Sequence, residues 1–109
     1  MLELYQTEWC PASRRVRERL TELGLDYLVR QVPVERDERT ALLVATGADT
    51  IPALVLEDGS AVVGEDEILV YLDQHFDESE GAEAHRVKAA KARRRYLEEE
   101  CACLPLATR

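Results

Sequence analysis

A cysteine followed by a proline, at residues 10 and 11, marks a junction between a strand and a helix near the start of the chain. Residues 2–5 alternate apolar and polar side chains, which is the pattern of a short half-buried strand. Pro11 stands where helices favour proline, because its fixed φ suits the first helical position and its missing N–H would have no intrahelical partner there. Cys10 is therefore predicted to be the N-cap residue of the first helix.

The predicted N-cap position bears on the chemistry of the Cys10 sulfur. Unpaired N–H groups and the positive end of the helix dipole favour a thiolate over a thiol. Ser13 lies three residues further on, where its hydroxyl or its own N–H can hydrogen-bond the sulfur. Because the thiolate is the nucleophile, this arrangement is typical of a reactive cysteine. The same residues also fit a small buried cysteine before an ordinary helix, so the motif alone leaves both interpretations open.

Length and composition favour one soluble domain. The chain has 109 residues, of which 46% are hydrophobic and 33% charged, enough for a core without disulfides or metal. Its apolar runs are too short for a transmembrane helix, and a strand beginning at Leu2 leaves no room for a signal peptide, so we expect a cytoplasmic protein without a membrane partner. The net charge of −8 argues against nucleic-acid binding, which needs a basic face.

The cysteines and histidines predict neither a disulfide framework nor a metal site. Three cysteines are an odd number, and together with His75 and His85 they offer no set of four zinc ligands. Cys101 and Cys103 are one residue apart, so a disulfide between them would be strained. Either of them could instead reach Cys10 as a resolving thiol, or be a packed or idle thiol.

The rest of the pattern predicts alternating helices and strands. The first helix is expected to end before Gly24, and the strand after it to run parallel to the first strand, because a helix connects them. Asp58 and Gly59 predict a hairpin turn. The predicted elements after the first strand are a helix over 11–23, a strand over 25–32, a helix over 36–46, a strand ending at 56, a strand over 61–63, a helix starting near 65 and a helix over 82–101.

Apolar spacing predicts the inward face of each helix. Arg14 and Arg15, on the other faces of the first helix, either border the Cys10 site or are solvated. The basic stripe from Arg86 to Arg95 is either a solvated face or a surface for an acidic partner. The residues predicted to face inward are Val16, Leu20 and Leu23; Leu42, Leu43 and Val44; Ile68, Leu69, Leu72 and Phe76; and Val87, Ala90, Tyr96 and Leu97.

This order of elements resembles the thioredoxin fold, and within it the glutaredoxins and the N-terminal domain of glutathione transferases. The resemblance covers Met1 to about Phe76. It implies an α/β fold of order β-α-β-α-β-β-α, with a mixed four-stranded sheet, helices on both faces and an added C-terminal helix. The expected division is a thioredoxin/glutaredoxin-like domain over 1–76 and a C-terminal helix and tail over 77–109.

Three motifs carry the resemblance. Cys10-Pro11-Ala12-Ser13 resembles the Cys-Pro-x-Cys/Ser active site, Thr50-Ile51-Pro52 the Thr-Val-Pro whose proline is cis in this fold, and Gly64-Glu65-Asp66-Glu67 the Gly-x-Asp-Asp segment that holds the γ-glutamyl end of glutathione. The resemblance implies that Ile51 presents its backbone to an extended thiol peptide. It also implies that helix N–H groups and Asp66 bind the γ-glutamyl carboxylate and ammonium. Simple helix capping by Asp66 is the alternative.

The sequence departs from the glutaredoxin pattern at the site itself. Thr7 stands where glutaredoxins usually carry a lysine, so the cation must come from Arg14, Arg15 or Arg36 if it is present. Glu65 adds a negative charge where a small residue is usual. Ser13 replaces the second cysteine, so no disulfide with Cys10 can form there. The all-helical domain that follows in glutathione transferases has only one tail helix as its counterpart here.

The resemblance implies a monothiol glutaredoxin-like thiol–disulfide oxidoreductase with a Cys-Pro-Ala-Ser active site. Glutathione or a related low-molecular-weight thiol would be its co-substrate, with protein or small-molecule disulfides as partners and no metal. Three alternatives stay open: a domain like those of glutathione transferases or dehydroascorbate reductases, a [2Fe–2S] carrier, and a non-catalytic binding module of the same fold. The expected state is a monomer or weak dimer.

Overall fold

The structure, a computed structural model, describes residues 1–96, and the contacts within it divide the chain into two units, Met1–Asp77 and Glu78–Arg109. The elements of the first unit are β1 (Leu2–Gln6), α1 (Pro11–Glu22), β2 (Tyr27–Gln31), a 3-10 turn (Arg36–Glu38), α2 (Thr40–Thr46), β3 (Ala53–Val55), β4 (Ala61–Val63) and α3 (Glu65–His75). The second unit, as far as it is described, contains α4 (Ala82–Arg94).

The strands in the described part of the chain form one mixed sheet in the order β2-β1-β3-β4. β1 and β2 are parallel, with Leu2 opposite Tyr27, while β3 is antiparallel to both β1 and β4. The parallel pair confirms the strand–helix–strand prediction, and the pairing of β3 with β4 confirms the predicted hairpin. This sheet with its helices is the thioredoxin-like α/β fold.

Side chains of the central strands alternate between two apolar clusters on opposite faces of the sheet. On one face, Leu4 of β1 and Leu54 of β3 pack against Val16, Leu20 and Leu23 of α1 and against Ile68 and Leu72 of α3. On the other face, Ala53 packs with Val32 and with Leu42 of α2. Both faces are therefore covered by helices, and β1 and β3, in the centre, are the most deeply buried strands.

The ends of α1 lie where the sequence predicts them. Pro11 is its first residue, and Gly24 follows the helix with a φ of 68°, a left-handed conformation that glycine adopts without a steric penalty. The N–H of Leu25 donates to the carbonyl of Leu20 at 3.0 Å, which closes the last turn. The inward stripe on α1 is confirmed, because Val16, Leu20 and Leu23 are buried.

The second helix is shorter than predicted, and two of its predicted inward residues are wrong. α2 begins at Thr40 rather than Arg36, and Leu43 and Val44 are 53% and 82% exposed. The interior position before the helix is taken by Arg39, which is 7% exposed. Two helical turns can direct only a narrow stripe at the sheet, so Leu42 is the residue of α2 that is buried.

The inward stripe predicted on the last helix is also wrong within residues 82–96. Val87 is 50% exposed and Tyr96 is 47% exposed, and Ala90 is exposed as well. Between Ala82 and Tyr96, Val87 and Tyr96 are the only large apolar side chains, too few for a buried stripe. Leu97 and the predicted end of this helix at Cys101 lie outside the described residues. Among residues 1–96, no helix combines the length and apolar character needed to cross a membrane.

Candidate functional site

Cys10 is the N-cap residue of α1, as the sequence predicts. Its backbone is extended, with a φ of −77° and a ψ of 119°, and its carbonyl accepts the first helical hydrogen bond from the N–H of Arg14 at 3.0 Å. The side chain plays the part that a serine or aspartate usually plays at this position, because its Sγ accepts the N–H of Ser13 at 3.4 Å. The sulfur therefore lies at the positive end of the helix dipole.

Ser13 is fully buried and is the main polar neighbour of the sulfur. Its hydroxyl oxygen accepts the backbone N–H of Thr7 at 3.5 Å. The hydroxyl proton is then available to the sulfur, and both the hydroxyl and the N–H of Ser13 hydrogen-bond Cys10. The turn between β1 and α1 thus fixes the serine, and the serine directs two donors at one sulfur.

The surroundings of the sulfur lower the pKa of the Cys10 thiol below its ordinary value. Partial burial of the sulfur is the largest single influence and raises the pKa, because a thiolate is poorly solvated there. The hydrogen bonds from the Ser13 hydroxyl and from the N–H groups of Ser13 and Ala12 together outweigh it. The negative charge of Glu65 raises the pKa slightly. The result is a thiol that ionises more readily than a free cysteine.

Arg17 holds the loop that precedes Cys10, a role that the sequence pattern does not predict. Its guanidinium donates to the carbonyl of Thr7 at 3.3 Å and to the side-chain oxygen of Gln6. Thr7 is 4% exposed, and its hydroxyl makes no hydrogen bond with the described part of the chain. The ten residues between Arg17 and Thr7 run from α1 back into the loop before it, so helical periodicity could not reveal this contact.

The loop before β3 contributes the second predicted segment of the site. The peptide bond between Ile51 and Pro52 is cis, as the resemblance implies, and Pro52 is buried. The carbonyl of Pro52 accepts the N–H of Gly64 at 2.9 Å, which joins this loop to the start of α3. Two of the three predicted segments are thus in direct contact.

Arg39 also anchors this loop. Its guanidinium donates to three backbone carbonyls: Nε to Pro33 at 2.8 Å, one terminal amino group to Asp49 at 2.8 Å and the other to Val34 at 3.1 Å. A buried arginine that binds carbonyls rather than a carboxylate ties the end of β2 to the residues before Thr50. No pattern in the sequence predicts this role, because each of the partners of Arg39 is a backbone group that any residue could supply.

The third predicted segment is the N-terminus of α3. Gly64 is its N-cap with a φ of 96°, and no side chain caps the helix. Asp66 is exposed and makes no hydrogen bond with residues 1–96, so the structure gives no support to its interpretation as a simple capping residue. The first N–H groups of a helix have no intrahelical acceptors, so this end of α3 can receive an anion.

Arg15 connects the Cys10 segment to the start of α3. Its Nε donates to Oε2 of Glu65 at 2.6 Å, across fifty residues of sequence. Arg14, one residue earlier, turns along the helix instead and pairs with Glu18 at 3.1 Å. The sequence makes both Arg14 and Arg15 candidates for the site. In the structure, Arg15 is the one of the two that contacts the start of α3.

Trp9 is the exposed residue directly before Cys10, with 62% of its surface accessible. It is the single tryptophan of the chain, so its fluorescence can report on events at the neighbouring sulfur.

The two other cysteines, Cys101 and Cys103, lie outside the described residues, and their resolving role stays a prediction.

Fold and site together define a domain of the thioredoxin superfamily with a cysteine at the start of its first helix and a cis-proline before its third strand. The profile of the glutathione S-transferase N-terminal domain matches residues 4–80. The chain belongs to that family. A search among curated protein sequences found no match.

Solved structures of glutathione S-transferases share this fold. One from Sinorhizobium meliloti 1021 superposes with a TM-score of 0.64 at 25% identity, over 91% of this chain and 46% of that one. One from Rhodospirillum rubrum F11 gives 0.61 at 24% identity, over 91% and 46%. A third, from Methylobacillus flagellatus KT with glutathione bound, gives 0.60 at 25% identity, over 69% and 37%. The chain thus spans about half the length of these relatives, or less.

Replacing Ser13 with alanine is expected to raise the pKa of Cys10, because the hydroxyl that stabilises the thiolate is lost while the backbone N–H remains. At neutral pH the rate of alkylation by iodoacetamide should fall about 3- to 10-fold, the effect of one hydrogen bond. The pH profile of that rate should shift to higher pH. Above the pKa of both forms the two rates should converge, and a deficit that persists there would contradict this explanation.

Proposed function

We propose that this chain catalyses thiol–disulfide exchange with a γ-glutamyl thiol such as glutathione, with Cys10 as the nucleophile. The observation that supports it most directly is the Cys10 sulfur at a helix N-cap, held by two donors of Ser13. Such a sulfur is a thiolate at lower pH than a free cysteine, and it is also a better leaving group.

The proposed reaction needs one cysteine and proceeds in two exchanges. The Cys10 thiolate attacks the sulfur of the small thiol in its mixed disulfide with a protein. That S–S bond breaks, a disulfide between Cys10 and the small thiol forms, and the protein leaves as a thiolate that takes up a proton. A second molecule of the small thiol, as thiolate, then attacks the small thiol's sulfur in this adduct, which releases the oxidised small thiol and regenerates Cys10. Ser13 would stabilise Cys10 each time it is the attacking or the leaving thiolate.

The other predicted site residues would bind the small thiol. Thr50, Ile51 and Pro52 would align its backbone beside Cys10, and Gly64, Glu65 and Asp66 would hold the α-amino and α-carboxylate groups of its γ-glutamyl end. The hydrogen bond between Gly64 and Pro52 supports this division, because it places both segments at one edge of the fold. The glutathione bound to the Methylobacillus flagellatus relative supports glutathione as the thiol.

Family membership favours a second candidate, transfer of glutathione to an electrophile. In that reaction the site would bind glutathione as the nucleophile, and Cys10 would have no covalent role. The relatives with this fold are about twice the length of the chain, so a second substrate would contact parts that have no counterpart in residues 1–96. We place exchange first because a cysteine, rather than a redox-inert residue, occupies the N-cap.

Two assays on the same preparation separate the candidates. The first measures reduction of the mixed disulfide of glutathione and 2-hydroxyethanethiol, coupled to glutathione reductase. The second measures conjugation of glutathione to an aryl chloride. Peptide mapping after brief exposure to oxidised glutathione locates the adduct.

We expect reduction, with one glutathione on Cys10. Conjugation without an adduct would favour the transferase, and a mass loss of two hydrogens would indicate a bridge from Cys10 to a tail cysteine. Neither activity and no adduct would refute both candidates.

A further inference from the structure

One edge of the Arg15 guanidinium is hydrogen-bonded to Glu65, and the donors on its other edge are available to a ligand. Its Nε is bound to Oε2 of Glu65, and its two terminal amino groups make no hydrogen bond with residues 1–96. An arginine offers five donors in a fixed plane, so four N–H groups remain available on an arginine that is already oriented. Its side chain is half exposed, so a small molecule can reach it.

Arg15 lies five residues after Cys10, near the start of the same helix, so the two charges can interact. The hydrogen bond to Glu65 raises the pKa of Arg15, with further increases from the charges of Glu65, the Cys10 thiolate and Asp66 and an opposing effect from desolvation. The negative charge of Glu65 in turn raises the pKa of the Cys10 thiol. The sulfur, the guanidinium and the carboxylate therefore form one electrostatic group that joins the starts of α1 and α3.

We infer that Arg15, oriented by Glu65, is the anion-binding residue beside Cys10 and makes the site select small thiols and disulfides that carry a negative group close to the sulfur. This inference rests on the proposed function and adds to it a specificity-determining residue. It gives a chain with a net charge of −8 one oriented cation at the site for an anionic co-substrate. For this selectivity Glu65 is a positioning residue, since it acts on the anion through Arg15, in addition to its proposed contact with the γ-glutamyl end.

Charged thiol reagents test the inference without any catalytic turnover. The Cys10 thiolate attacks the sulfenyl sulfur of a methanethiosulfonate, a disulfide forms and methanesulfinate leaves. Rates are measured with the anionic 2-sulfonatoethyl reagent, the cationic 2-trimethylammonioethyl reagent and the neutral methyl reagent, each divided by its rate with a free cysteine derivative. The full chain carries serine at Cys101 and Cys103 so that one sulfur reacts. A change in thiolate fraction cancels in the anion-to-cation ratio.

In Arg15→Gln this ratio is expected to fall about tenfold, because removing one positive charge slows the anionic reagent and speeds the cationic reagent, each by about threefold. Arg14→Gln is the matched control, since it removes the same charge from the adjacent residue of the same helix, and its ratio should change less than about twofold. Arg15→Lys should recover part of the loss.

An unchanged ratio in Arg15→Gln, or an equal fall in Arg14→Gln, would overturn the inference. The neutral reagent separates this outcome from failure of the proposed function. If Cys10 reacts with it no faster than a free cysteine at pH 7, the activated nucleophile is refuted, whatever the ratio. If Cys10 reacts faster but the ratio does not depend on Arg15, the proposed role of Cys10 as an activated nucleophile is supported and the proposed role of Arg15 is refuted.

Discussion

Replacing Cys10 with serine is expected to abolish reduction of glutathione mixed disulfides, with a loss on the order of a thousandfold or more. A serine hydroxyl does not ionise at neutral pH and cannot form a disulfide, so both exchanges lose their nucleophile. The fold should be unaffected, because serine is itself a favoured N-cap residue and can accept the N–H of Ser13 in place of the sulfur. The variant should therefore unfold at the same urea concentration as the parent chain.

The pH dependence of the rate in the unmodified chain is an independent test of Cys10 as the nucleophile. Because the pKa of Cys10 lies below its ordinary value, the thiolate fraction and the rate should rise with pH and reach a plateau at lower pH than for a free cysteine. A double variant with serine at Cys101 and Cys103 is the control and should keep the full rate if a single cysteine suffices. Activity retained in Cys10→Ser, or lost in the double variant, would contradict the single-cysteine mechanism.

Replacing Leu42 with alanine is expected to lower the free energy of unfolding by about 2–4 kcal/mol. Leu42 is almost completely buried in the smaller apolar cluster, and truncation there leaves a cavity under the loop that leads to the cis-proline. Leu43→Ala, at the adjacent position, makes the same chemical change on an exposed side chain. Its expected cost is about 0.5 kcal/mol or less, since alanine is the better helix former and little buried area is lost.

Urea unfolding of both variants, followed by the fluorescence of Trp9, measures the difference. The pair is matched in residue type, helix and size of the deletion, so a general effect of truncation is removed. Equal losses in the two variants would contradict the orientation of α2 described here. They would favour the orientation that the sequence predicted, with both leucines facing the core.

The position of the Cys10 sulfur at the start of α1 could be predicted from the sequence because its determinants are local. Pro11 places the first helical turn, and the residue before it becomes the N-cap by the same rule that applies to any helix. The parallel pairing of β1 and β2 followed in the same way from a strand, a helix and a strand in succession. The cis bond before Pro52 was implied by the family resemblance rather than by local rules.

The contacts that complete the site could not be predicted because they are long-range or unspecific. Arg14 and Arg15 are adjacent and chemically identical, and only the packing of α1 beside α3 decides which one meets Glu65. Leu43 was placed inward by its apolar character, but the interior position at that end of α2 is taken by Arg39. A buried arginine bound to backbone carbonyls leaves no complementary residue in the sequence from which it could be inferred.

The anchoring of the cis-proline loop by Arg39 has a consequence for the side chains that this position can accept. Its guanidinium donates to three backbone carbonyls at once, which requires donors spread over a rigid plane. A lysine would keep the positive charge but carries all its donors on one atom, so it would not hold the end of β2 and the residues before Thr50 together in the same way. The loop before Pro52 therefore depends on the shape of one cation rather than on its charge.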